Sequence, residues 1–171
     1  MPLLAYLATD VRCSSCGETI TDLLAFQWGY CRGYSPRKEA SYELGTRLRW
    51  RACSDGSVPP WAFFGDGDGN VGDPLYTDLI VREYWTEDFT HSCGQEIGGM
   101  AIEIRRGVIA RAWAYPPGDL DNSSLLYRLE ADGTPLPMPA WEDHPMSRVN
   151  LATCGEGMRL LEVDPPAANT H

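Results

Sequence analysis

Arg47-Leu48-Arg49-Trp50-Arg51-Ala52 alternates strictly between charged and apolar residues, and a period of two marks a strand with one buried face. Leu3 to Arg12 is rich in apolar and β-branched residues, and Tyr76 to Trp85 reads as a further strand. Ala101 to Ile104 and Val108 to Tyr115 form a hairpin pattern turning through Arg105-Arg106-Gly107. Ser124 to Glu130 and the residues after Thr134 flank Asp132-Gly133, a second hairpin signal weakened by Pro135 and Pro137. Helical patterning is confined to two short segments, Glu18 to Phe26 and Pro36 to Leu44, with Gly45 ending the second. The expected fold is mainly β, a single compact β-sheet or barrel-like domain.

A chain of 171 residues with 43% hydrophobic residues is long enough to bury the core of one domain. Its 6 Trp, 8 Tyr and 4 Phe argue against a disordered chain. The longest apolar runs fall far short of a membrane span. Met1-Pro2-Leu3-Leu4-Ala5-Tyr6 lacks the basic n-region and long apolar core of a signal peptide. A soluble, cytoplasmic protein that does not engage a membrane is expected. Composition shifts at Pro116-Pro117-Gly118, beyond which prolines concentrate. Residues 1–115 are therefore read as the β-domain, and residues 116–171 as a loop-rich, acidic, Pro-rich extension packed on it.

Charge narrows the partners. The chain carries 24 acidic and 14 basic residues, a formal net charge of −10. Such a field repels nucleic-acid phosphates and favours a basic protein. Arg47, Arg49 and Arg51 would share one strand face, with Arg105, Arg106 and Arg111 as further candidates for a basic patch. The plainer expectation for the first three is a solvated strand face.

The cysteines carry the most specific chemistry. Cys13-Ser14-Ser15-Cys16-Gly17 lets two thiolates converge on one ion, with glycine supporting the tight backbone that follows. His91 and Cys93 are two apart, so on an extended segment both side chains project to one face. Cys13, Cys16, His91 and Cys93 thus make a candidate four-ligand zinc site. Cys154 is an alternative fourth ligand, and Cys31 and Cys53 are weaker ones. Disulfides are disfavoured by the expected cytoplasmic location.

These two segments resemble the zinc-ribbon and rubredoxin-type knuckle proteins, in which two β-turn knuckles from distant parts of the chain clamp one structural metal. The likeness covers only the two short clusters. It departs from that pattern at His91-x-Cys93, where such proteins usually carry a second Cys-x-x-Cys. The resemblance implies a structural metal and no particular activity.

Other constellations are thin. Asp66-Gly67-Asp68-Gly69-Asn70-Val71-Gly72-Asp73 opens like a calcium loop, but Val71 and Thr77 replace the glycine and glutamate that such a loop needs. It is read as an ordinary polar loop. No Gly-x-Ser-x-Gly elbow, phosphate loop or dinucleotide fingerprint occurs, and catalytic residues remain unassigned. His144, between acidic neighbours and Pro145, is read as a surface loop histidine, and His171 lies in a tail.

Three functions fit. The leading expectation is a non-catalytic acidic binding protein with a structural zinc, engaging another, basic protein, for example as an immunity or inhibitor protein. The second is a zinc-dependent enzyme with an open metal position and Glu96, Asp88 or His144 as general base. The third is a component of a larger assembly, anchored by aromatics such as Trp61, Trp85 and Trp141.

Overall fold

The alternation at residues 47–52 does produce a strand, β5 (Arg49–Ala52), with Trp50 and Ala52 buried and Arg49 and Arg51 half-buried. The computed structural model describes residues 3–33, 36–53, 55–56, 58, 68–82, 93, 99–115, 120, 124–138 and 159–162. Strands dominate, and no α-helix occurs among the described residues.

β1 (Ala5–Arg12) and β2 (Thr19–Phe26) form an antiparallel hairpin, in register from Ala5↔Phe26 to Arg12↔Thr19. β4 (Ser41–Tyr42) adds to β1 in parallel. β7 (Leu79–Arg82), β8 (Gly99–Arg105), β9 (Val108–Tyr115), β10 (Leu126–Leu129) and β11 (Pro135–Pro137) build an antiparallel five-stranded sheet in the order β11-β10-β7-β8-β9. Two antiparallel pairs complete the set: β3 (Gly29–Arg32) with β6 (Asp68–Val71), and β5 with β12 (Arg159–Glu162). The fold is mainly β, as expected. It comprises several sheets, none of them closed into a barrel. β10 and β12, both beyond residue 116, hydrogen-bond to β7 and β5 from before it.

One cluster gathers side chains from most strands, Leu7, Phe26, Trp28, Trp50, Ile102 and Ile109 among them. Ile80, Ala101, Tyr115 and Tyr127 form a smaller cluster. Leu79 and Val81 point to the first cluster and Ile80 to the second, as successive strand residues must. β7 is buried throughout, and a strand covered on both faces reads as a continuous apolar run.

Both predicted helices are corrected. Glu18 to Phe26 is instead the strand β2, because Thr19, Ile20 and Thr21 suit a pleat and the segment pairs along its length with β1. Pro36 to Leu44 contains only a 3₁₀ turn, Lys38–Ala40. Ser41 and Tyr42 are recruited onto Tyr6 and Leu7, and that pairing buries Tyr42. The hairpins at Arg106-Gly107 and Asp132-Gly133 form as predicted, and the two prolines sit on β11, an edge strand that can spare their missing donors.

Candidate metal centre

β1 ends at Arg12 and β2 begins at Thr19, so the first cysteine pair occupies the tip of this hairpin. The Cys13 N–H donates to Glu18 O at 2.8 Å, and the Gly17 N–H donates to Cys13 O at 3.0 Å. Gly17 takes φ +75°, a left-handed conformation that costs other residues about 1–2 kcal/mol. Together these features turn the chain sharply enough to bring two thiols to one side.

The third thiol arrives from far downstream. Cys93 Sγ lies 3.9 Å from Cys13 Sγ, and the sulfurs of Cys13, Cys16 and Cys93 all fall within 4.8 Å of one another. Cys13 belongs to the main core cluster at 3% exposure, whereas Cys16 and Cys93 are exposed. The site therefore sits where the core meets solvent. Three convergent thiols of this kind are donors for a soft or borderline metal ion, and three of the four predicted ligands are brought together. His91 lies outside the described residues.

The electrostatics of the trio are unequal. The Cys13 thiol is pulled below its ordinary value, chiefly by the Cys16 N–H, with further donation from Ser15 N–H and the neighbouring thiols outweighing desolvation. Cys16 receives the Glu18 N–H, yet desolvation and the sulfurs of Cys13 and Cys93 leave it raised. One sulfur is favoured as thiolate at its neighbour's expense. A bound cation would relieve that conflict by favouring thiolate at every donor.

The substitute ligands fare differently. Cys31 is fully buried, its thiol held at the backbone oxygens of Trp28 and Gly29, 3.9 and 3.5 Å away, and burial pushes its pKa far up. It is not part of the cluster. Cys53 is disulfide-bonded, which removes it from the ligand set and corrects the expectation that disulfides are disfavoured. Cys154 lies outside the described residues.

The remaining candidates are spent on structure or fall outside the description. Asp68 to Val71 is the strand β6 rather than a polar loop. Asp68 accepts from Tyr30 Oη at 2.8 Å and pairs with Arg51, while the Asn70 side chain accepts from Arg51 N and donates to Arg51 O, each at 2.9 Å. Asp73 caps its turn by accepting from Leu75 N–H. Those oxygens are committed to the protein itself. Asp66 lies outside the described residues.

Arg47, Arg49 and Arg51 are not a freely solvated face. Arg47 donates to Arg106 O at 3.1 Å. Arg49 lies over the Tyr42 ring and donates to the backbone oxygens of Lys38, Glu39 and Ser41. Arg105 and Arg111 both grip the buried carboxylate of Glu103. These staples had no signal in spacing, because their acceptors are backbone oxygens and a carboxylate brought near only by pairing. His144, Glu96, Asp88, His171, Trp61, Trp85 and Trp141 lie outside the described residues.

Among the described residues no helix is long and apolar enough to cross a membrane. Comparison of the chain with protein-family models, curated proteins and solved structures finds no match.

Proposed function

We propose that the protein is a non-catalytic binding protein, a β-domain fastened by one zinc ion whose acidic surface engages a basic protein, as an immunity or inhibitor protein does. The observation that carries this reading is the convergence of Cys13, Cys16 and Cys93, two chain segments meeting at the rim of the core. Sulfur with imidazole nitrogen is a usual donor set for tetrahedral zinc, and His91, two residues before Cys93, supplies the fourth donor. With four protein donors the ion is closed to substrate, and its contribution is folding energy. The net charge of −10 supplies the steering field for a basic partner.

The exposure of Cys16 and Cys93 favours a second reading, a zinc enzyme with water in the fourth position. X-ray absorption on the zinc protein separates the two. Sulfur and nitrogen donors alone support the closed site, and an oxygen donor supports the enzyme. Affinity capture at low and high salt tests the partner. The expected result is a basic protein held at low salt and released as salt screens the field; a salt-insensitive, acidic partner contradicts it.

A further inference from the structure

The sulfur trio carries a second chemistry. Cys13 Sγ and Cys93 Sγ stand 3.9 Å apart although the residues are separated by 80 positions in the chain. A disulfide needs about 2.05 Å between sulfurs, so the two must close further before they bond. Cys93 is exposed to an incoming reagent, and Cys13 is held behind it in the core.

We infer that Cys13 and Cys93 form an oxidation site, at which a hydroperoxide joins the two sulfurs and expels the metal. The expulsion rests on the zinc reading above; the bond itself requires only the thiols. The Cys93 thiolate attacks one peroxide oxygen, the O–O bond breaks, and Cys93 becomes a sulfenic acid. The other oxygen leaves and takes up a proton as water or an alcohol. The Cys13 thiolate then attacks the Cys93 sulfur, forming the S–S bond and breaking S–O, and hydroxide departs to be protonated to water. Two electrons pass from the two sulfurs to the peroxide. The metal loses two donors and leaves as the cation, and Cys16 remains a thiol.

Cys13 could instead pair with Cys16, but that bond would close only the small loop already drawn together by the Cys13–Glu18 and Gly17–Cys13 hydrogen bonds. The Cys13–Cys93 bond instead joins two segments separated by 80 positions in the chain.

The test exposes zinc-loaded and chelator-treated full-length protein to hydrogen peroxide. Zinc release is followed with a chromogenic chelator, and the product is read by intact mass and by peptide mapping without reduction. The expected result is the loss of two hydrogens and a Cys13–Cys93 linked peptide in both samples, reversed by dithiothreitol. In the loaded sample, zinc release keeps step with the link. A Cys13–Cys16 link, Cys93 driven to sulfinic acid without a link, or zinc that stays bound through the treatment would each overturn the inference. A protein that takes up no zinc yet forms the Cys13–Cys93 link removes the metal reading and sustains the oxidation site.

Discussion

The Trp28 indole stands 2.5 Å from the position that a Cβ on residue 72 would occupy. Trp28 is fully buried and meets Trp50 edge-on, so its ring has no room to retreat. Gly72 also takes φ +92°, where an L side chain is strained. Strain and overpacking add, and Gly72→Ala should cost roughly 2–4 kcal/mol in urea unfolding. Gly45→Ala, at φ +84° with open space around it, carries the strain alone and should cost about 1–2 kcal/mol. Equal losses at the two sites would show that the Trp28 contact is not what excludes a side chain.

Metal removal should act on folding. Chelation is expected to lower the Tm of the wild-type protein, with zinc restoring it, while Cys16→Ser should lose both the zinc and the response. Cys31→Ala probes a cysteine outside the trio. It should cost about 1 kcal/mol of stability and leave the zinc content per chain unchanged. Zinc lost from Cys31→Ala but retained by Cys16→Ser would contradict the ligand assignment.

Glu103 makes stability depend on acid. Burial alone would raise its pKa, but the guanidinium groups of Arg105 and Arg111 more than offset that and hold it below the usual carboxylate value. The folded state therefore binds its proton less readily than the unfolded chain. The stabilisation is present above the ordinary glutamate range and is lost as pH falls through the lower folded value. Glu103→Gln should flatten this acid limb and cost about 1–2 kcal/mol at neutral pH, with part of each exposed arginine's pairing screened by water. Urea midpoints measured across the acid range check it.

Tyr30 sets the opposite limb. Burial first, then its hydrogen bond and proximity to Asp68, push its pKa up to about 12. The protonated phenol stabilises the fold fully below the ordinary tyrosine value of about 10. That contribution should disappear as pH rises through about 12. Tyr30→Phe should remove this alkaline dependence and cost about 1 kcal/mol through the lost bond to Asp68. An unchanged alkaline limb in the variant would place its origin elsewhere.

Much of the strand pattern was legible because one residue's neighbours decide it. Leu48, Trp50 and Ala52 are all buried, as alternation requires. At Ile20, Leu24 and Phe26, also buried, the even spacing fits a strand while the four-residue step from 20 to 24 fits a helix. Pairing with β1 settles the choice, and pairing is a property of the assembled chain. The thiol trio was legible from Cys-x-x-Cys-Gly and Ser92-Cys93-Gly94 because ligand chemistry constrains local spacing. The Cys53 disulfide was not, since residue type alone does not tell a bonded cysteine from a free one. The arginine staples were hidden for a similar reason: Arg49 satisfies backbone oxygens that carry no residue-type signal.

The central claim is that Cys13, Cys16 and Cys93 hold a metal, and metal content measured with a thiol count tests it most directly. Elemental analysis of the purified native protein should find close to one zinc per chain. Chelation should then expose the thiols of Cys13, Cys16 and Cys93 to a thiol reagent while buried Cys31 stays protected. A protein free of metal that takes up no added zinc, with those three thiols already reactive before chelation, would contradict the account.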